Sequence, residues 1–486
     1  MKVLLTGATG YIGRRLKQKL LEDESVQLRL FVRNKKKIRP ETREKVEIVE
    51  GDTFNKEALE KAAEGVDVAY YLIHSLGAGK NFADLDRVSA ENFRDACIKA
   101  GVKRMIYLGG LGVKESASEH LRSRIETGEV LSAHPDKIQT IWFRAGVIIG
   151  SGGASFEIIR NLVQKLPVMF LPKWVRTKSQ AIAVDDVIKY LDEAKDLQID
   201  GDLMVDIGSE KLSFQEMLMK TSRVMGLKRT LIPIPVLSPR LSSYWLILFT
   251  PVSDKIARSL VDGLKSETVL QNDNASYFDF TPMSFEESIR KAVDEIERKQ
   301  VVSRWCDSSA EQTCDIKDDN MSRAIYRDMR AYSFDNLPPE KVFTAVKSIG
   351  GKDGWFTYDI FWRIGGVIDK LLGGYGLNRG RRDEQDLRVG DSLDFWKVAD
   401  FVPNKRLLLR SQLSSPGKSW LEFTIEGDKL VQTAYFYPNG ILGRVYWWVL
   451  KPFHYFTFRD LAKSIIGRAR KIETPDKKKL NSSSQV

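Results

Sequence analysis

Lys2 to Gly13 reads KVLLTGATGYIG, and the fold is decided there. Val3, Leu4 and Leu5 form a continuous apolar run, the pattern of a strand buried on both faces. Gly7, Gly10 and Gly13 follow at GxxGxxG spacing, and Leu16, Leu20 and Leu21 then recur at helical spacing. Strand, glycine turn and helix in that order is the context in which a glycine fingerprint carries meaning. A tight turn without side chains lets the backbone approach a pyrophosphate. The helix N-terminus then offers N–H groups and a favourable dipole to the anion. The residues expected to meet a bound cofactor here are Gly7, Thr9, Gly10, Tyr11, Ile12 and Gly13.

Downstream, strand and helix alternate. Strands are expected over 27–32, 46–50, 68–73, 104–108 and 140–143, with helices over 56–64 and 84–100. That rhythm predicts an α/β fold, a Rossmann doubly wound parallel sheet. The second strand ends in Arg33, where a carboxylate for a ribose 2′-hydroxyl usually stands, and Lys35, Lys36 and Lys37 follow. A guanidinium attracts a 2′-phosphate that a carboxylate would repel, so NADP(H) is favoured over NAD(H). Asp52 and Thr53 end the third strand on the ligand side, with Asp52 placed to accept from an adenine amino group. Ile73 and His74 end the fourth, with Ser75 beside them.

Composition narrows the rest. A chain of 486 residues is expected to hold two domains or more. A net charge of +11 suits phosphate-bearing ligands or an anionic membrane, while nucleic acid has only bulk charge behind it and no motif, so none is expected. Cys97, Cys306 and Cys314 give neither a disulfide framework nor metal spacing, and the four histidines are not paired as ligands, so no metal is expected. The chain opens on a structural strand rather than a signal-like segment, and a cytoplasmic location is expected.

The stretches TGATGYIG, VRN, GD and RAGVIIG resemble an atypical or extended short-chain dehydrogenase/reductase. YYLIHS, HLRSR, RAGVIIGSGGASFEIIR and QAIAVDDV resemble the subgroup of NAD(P)-binding proteins that ends in a DUF2867 domain. The resemblance runs over nearly the whole chain and implies a nicotinamide cofactor, with no settled reaction. Its departure is at the catalytic motif. The family's Tyr-x-x-x-Lys and strand-end hydroxyl are absent; Gly109, Gly110 and Gly112 stand at the strand end, and His120 and Arg124 at the helical spacing. His120 is the candidate proton donor, and Arg124 the candidate orienting cation. Two readings follow. One is a variant reductase of a hydrophobic carbonyl or quinone-like substrate. The other is a non-catalytic NADPH-dependent sensor, lipid carrier or membrane-peripheral assembly factor.

The domains are read as 1–300 for the NAD(P)-binding part, with a small substrate lobe over about 150–300; 301–323 as linker; 324–475 as the DUF2867 domain; and 476–486 as a flexible tail. In the lobe, Ser213 and Glu216 spell a capping box, and 203–208 reads as a strand of the lobe. Residues 231–252 are apolar but broken by proline. Their uninterrupted apolar core, 244–249, is too short to span a bilayer, and the stretch reads as a lid or as a peripheral membrane contact through Trp245, Leu246, Leu248 and Phe249. The last domain should run strand 331–334, helix 338–347, strands near 392–398, 406–412, 419–425 and 430–437, then a helix over 443–466 kinked at Pro452. That order resembles the α+β helix-grip fold of the START/Bet v 1-like superfamily, which implies a hydrophobic small molecule or lipid as ligand. Trp396, Trp420, Trp447 and Trp448 are candidate lining, and Arg379, Arg381 and Arg382 a candidate anion site.

Overall fold

The apolar run at the start of the chain becomes the centre of a seven-stranded sheet. The computed structural model describes residues 1–74, 82–234, 266–298, 300–303, 324–351, 354–357, 380–384, 386–413 and 415–472, with isolated positions between them. The described chain divides into two units, Met1–Asp315 and Ile316–Val486. Ser75, Cys306, Cys314, Arg379, the segment around Trp245, most of the expected linker and the tail lie outside the described residues.

The first unit runs β1 (Lys2–Thr6), α1 (Tyr11–Leu20), β2 (Gln27–Val32), α2 (Pro40–Arg43), β3 (Glu47–Glu50), α3 (Lys56–Ala63), β4 (Val68–Tyr71), α4 (Phe82–Lys99), β5 (Arg104–Gly110), α5 (Glu119–Leu131) and β6 (Gln139–Ala145). It continues through β7 (Val147–Ile149), α6 (Ala154–Lys165), β8 (Val168–Leu171), β9 (Lys178–Ala183), α7 (Val184–Glu193), β10 (Leu203–Ile207), β11 (Lys211–Ser213), α8 (Phe214–Val224), β12 (Thr230–Pro233) and α9 (Phe285–Glu297). The main sheet is ordered β10-β6-β5-β4-β1-β2-β3, and every pair in it is parallel. Strand order reverses between β1 and β4, the crevice where open α/β sheets bind ligands. Side chains of β1 alternate between two cores. Val3 and Leu5 pack with Leu16 and Leu20 of α1 and Val187 of α7. Leu4 packs with Leu59 of α3, Phe93 of α4 and Leu121 of α5.

The lobe needs one correction. The strand expected over 203–208 is β10, and it pairs with β6 as the seventh strand of the main sheet rather than staying in the lobe. Pairing through Val205–Phe143 and its neighbours buries Val205 and Ile207 completely, which a free lobe strand would leave exposed. The lobe proper has its own core around Phe156, Ile159, Met169, Met217, Phe285 and Ile289. Ser213 and Glu216 do form a capping box on α8.

The second unit runs β13 (Tyr326–Ser333), α10 (Pro339–Lys347), β14 (Ser392–Leu393), β15 (Trp396–Val402), β16 (Arg406–Ser411), β17 (Gly417–Glu426), β18 (Lys429–Pro438) and α11 (Gly440–Lys471). Its six strands form an antiparallel sheet ordered β13-β18-β17-β16-β15-β14. Val342 and Phe343 of α10 and Leu461, Ala462 and Ile465 of α11 bury one face of it, an arrangement compatible with a helix-grip domain. The last helix is one element of 32 residues that runs through position 452. Two expectations change here. Trp448 does not line an enclosed core cavity: it is 59% exposed and borders an open groove beside β13, whereas Trp447 is buried and stacks on Tyr326 and Phe436. Arg381 and Arg382 are not an anion site. Arg381 donates to the carbonyls of Lys347, Ile349 and Asp383, and Arg382 pairs with Asp386 and Asp391, so both guanidinium groups are buried on internal acceptors.

Candidate functional site

The turn after β1 is shaped by exclusion of side chains. Gly7 takes φ +69°, and a Cβ there would overlap the Leu72 carbonyl at the end of β4. The Gly10 N–H donates to the Gly7 carbonyl at 2.8 Å, and a Cβ on Gly13 would overlap that same carbonyl oxygen. Helix α1 therefore starts on bare backbone, capped by Gly10 with no side-chain hydrogen bond and no acid in its first turn. Its first N–H groups and positive dipole end face the crevice. A cavity of ≈ 300 Å³ opens there, and Gly7, Thr9, Gly10, Tyr11, Ile12, Gly13, Arg33, Asp52, Thr53, Ile73 and His74 all line it. A glycine cradle that Cβ atoms would close, set against an uncapped helix end, fits the pyrophosphate of a dinucleotide.

Several of these residues also hold the cavity's walls. Asp52 Oδ1 accepts from the Phe54 N–H at 3.1 Å. The Thr53 hydroxyl accepts from Ser89 at 2.8 Å, and its carbonyl accepts from Asn92 at 3.0 Å. The Tyr11 hydroxyl donates to the Ser151 carbonyl at 3.2 Å, and burial pushes its ionisation well above the phenol range. One turn on, buried Arg15 donates to Ser151 Oγ at 2.9 Å and pairs with Glu295 at 3.2 Å, and Ser151 Oγ donates to Glu295 as well. Arg33 stands exposed at the rim.

A second, mostly apolar cavity of ≈ 230 Å³ lies beyond the end of β5, lined by Gly110, Leu121, Ile158, Ile159 and Phe214. His120 and Arg124, one turn apart on α5, both reach it. Arg124 Nη2 donates to the Leu108 carbonyl at 2.6 Å, while the Tyr107 hydroxyl donates to the Arg124 carbonyl, so Arg124 pins α5 to β5. The missing hydroxyl has a steric reason. A Cβ on Gly110 would lie 2.5 Å from Leu121 Cδ1, and one on Gly109 would lie 2.5 Å from Trp142 Nε1. Leu121 and Trp142 fill the space a serine or threonine would need.

His74 and His120 connect the two cavities. His74 Nε2 and His120 Nδ1 are 3.2 Å apart, in residues separated by 46 positions. Asp86 Oδ2 lies 4.0 Å from His74 Nδ1 and accepts from Ser123 Oγ at 3.1 Å. Burial, with Arg124 adding repulsion, holds His120 down at about 3 and His74 well below its usual range. Both imidazoles are therefore neutral near pH 7. One of the two facing nitrogens carries the shared proton, so the tautomer of either ring sets that of the other.

Sequence reasoning missed Asp86. Its signal was a carboxylate on the buried stripe of α4, in step with Ala90, Phe93 and Cys97. It also missed the buried pair that joins the ends of β6 and β10, where Arg144 meets both carboxylate oxygens of Asp206 at 2.6 and 2.9 Å. Among the described residues no cluster of His, Cys, Asp and Glu could hold a metal, and no helix is long and apolar enough to cross a membrane.

Residues 7–139 match a family described as NAD(P)H-binding, and residues 321–461 match DUF2867, a family described as of unknown function. A ceramide reductase of Caulobacter vibrioides (strain NA1000 / CB15N) is 28% identical over 240 residues, 48% of this chain and 73% of that protein. The structure of a Citrobacter sp. triphenylmethane reductase has a TM-score of 0.51 and 20% identity, covering 60% of this chain and 100% of that one. The structure of the same reductase complexed with NADP(H) has a TM-score of 0.50 and 19% identity, covering 60% of this chain and 99% of that one.

Proposed function

We propose that this chain, a short-chain dehydrogenase/reductase-like NAD(P)H-binding protein with a C-terminal DUF2867 domain, is an NADPH-dependent reductase of a hydrophobic carbonyl or quinone-like compound. The observation that carries this reading is the 3.2 Å contact between His74, on the cofactor cradle, and His120, on the apolar cavity. The relative that is a ceramide reductase makes an apolar substrate a natural choice.

In this reading the bound dinucleotide supplies a hydride. The glycine turn and the start of α1 hold its pyrophosphate, and Arg33 meets the 2′-phosphate that distinguishes NADPH. His120 Nδ1 is taken up by His74, which leaves Nε2 for an oxygen in the apolar cavity. Nε2 donates its proton to that oxygen while Nδ1 takes one from His74 Nε2. A proton from solvent enters His74 at Nδ1, the nitrogen on the Asp86 side, so each ring gives one proton, takes one, and stays neutral. A neutral imidazole donating in this way needs no lowered tyrosine pKa, which suits a chain without Tyr-x-x-x-Lys. Apolar walls keep water away and strengthen that hydrogen bond.

A second reading has its own support. Leu121 fills the hydroxyl position, and that favours a protein that binds NADPH without turnover, its DUF2867 domain acting as sensor or carrier of an apolar molecule. Titration with NADPH and NADH, followed by NADPH oxidation against hydrophobic aldehydes and quinones, separates the two. A reductase should lose roughly 10²–10⁴-fold in turnover in His120→Gln, with NADPH binding unchanged. Binding with no oxidation of NADPH by any substrate would replace the reductase with the sensor or carrier.

A further inference from the structure

The two halves of α11 (Gly440–Lys471) live in different environments. Its second half is core: Phe458, Leu461, Ala462 and Ile465 are all buried. Its first half carries an apolar stripe turned to solvent. Ile441 is 81% exposed, Leu442 77% and Val449 70%, and Val445, Trp448 and Phe456 are each more than half exposed. These positions recur at three, four and seven residues, one face of a helix. A contiguous apolar face of this kind on a soluble domain marks an interaction site.

Charge says what covers it. From Gly440 to Arg459 the chain holds no Asp or Glu, while Arg444, Lys451 and Arg459 are cationic. Cations sit beside the aromatic rings: Lys451 Nζ lies 4.5 Å from the Trp448 ring, Arg330 lies 5.0 Å from that of Tyr455, and Arg459 lies 5.7 Å from that of Phe456. Alongside, a groove of ≈ 970 Å³ runs between α11 and the sheet-edge strand β13, with Arg327 and Met329 on its strand side. Among its described lining residues the one carboxylate, Asp328, is bonded to Arg330.

We infer that this face is a docking surface for an anionic lipid bilayer. Exposed aliphatic side chains would enter the acyl boundary, Trp448 and Tyr455 would lie at headgroup depth, and Arg444, Lys451 and Arg327 would meet lipid phosphates. A second copy is the poorer occupant, because two such faces would bring like charges together. Nucleic acid would leave the aliphatic stripe in water. The inference does not depend on the reductase reading, and its test needs no cofactor.

The full-length protein should co-sediment with phosphatidylcholine vesicles containing roughly one-third phosphatidylglycerol, and far less with phosphatidylcholine alone, with binding weakened by salt. The double substitution Leu442→Glu/Val449→Glu should lower partitioning roughly tenfold or more. Both positions are solvent-exposed, so the thermal melt should not move. Arg444→Glu/Lys451→Glu should remove the lipid preference and flatten the salt dependence. Equal binding to both vesicle types, or wild-type partitioning by the Leu442→Glu/Val449→Glu protein, would overturn the assignment. So would a dimer that this substitution dissociates in a protein that never sediments with vesicles.

Discussion

The turn after β1 and the strand end after β5 line one edge of the same parallel sheet, and they are built from opposite materials. The first is backbone. Gly7, Gly10 and Gly13 exclude side chains so that peptide groups face the ligand. The second is side chain: two neutral imidazoles, a guanidinium spent on a carbonyl, and Leu121 in the place of a hydroxyl. A site made of backbone is set by neighbours in sequence and fails wholly when one glycine gains a Cβ. A site made of side chains is set by distant partners and can be altered by degrees.

The sharpest way to break that comparison is Gly13→Val. Its Cβ would overlap the Gly7 carbonyl and lie 3.0 Å from Ala8 Cα, and backbone cannot step aside. NADPH binding should vanish and stability should fall by about 3 kcal/mol, read by fluorescence titration and a thermal melt. Gly10→Val has only the Gly7 oxygen to meet, at 3.1 Å, so it should abolish binding while leaving the melt nearly intact. Retained binding in both proteins would mean that the turn does not hold the pyrophosphate.

Acid should expose the side-chain site next. Above pH 6.5 the folded and unfolded chains both hold neutral His120. Below it the unfolded chain takes up a proton that folded His120 refuses until about pH 3. The unfolded state then binds more protons, so stability is lost as the pH is lowered through that window, by up to about 1.4 kcal/mol per unit. His120→Gln should flatten this slope in chemical denaturation between neutral and mildly acidic pH. An unchanged slope would show that the imidazole is not held neutral.

Smaller effects sharpen the contrast. Arg33→Asp should move cofactor preference from NADPH toward NADH by about 2 kcal/mol, through a lost charge-assisted bond and an added repulsion. Comparative titration checks it, and an unchanged ratio would make Arg33 a plain rim residue. Gly110→Ala should cost about 1 kcal/mol through the Leu121 contact, and a double-mutant cycle with Leu121→Ala should recover a coupling of similar size. Simple additivity would mean that Leu121 moves aside freely.

What could be read in the chain follows the same division. All eleven cofactor-side residues lie around one cavity because a glycine turn and strand ends are local features, ordered by the alternation of strand and helix. The partnership of His74 and His120 was out of reach, because it needs the register of β4, β5 and α5 together. In sequence, Leu203–Ile207 reads as part of the lobe for a related reason. A short apolar strand does not state its partner, and its neighbour β6 ends 58 residues earlier, counting from Ala145 to Leu203. The clustered arginines of the second unit suggest an anion site in sequence, but the fold brings Asp386 and Asp391 onto Arg382.

The clasp of Arg15, Ser151 and Glu295 bears on how this chain is made. Arg15 leaves the ribosome 280 residues before Glu295. At about 5–20 residues per second, that interval is roughly 14 to 56 s. Until Glu295 arrives, burying the Arg15 guanidinium would strand a charge, so the base of α1 stays hydrated and the phosphate turn beside it unfinished. A nascent chain stalled before Glu295 should therefore fail to retain NADPH even though every residue of the glycine fingerprint has long been synthesised, and release past that point should restore binding.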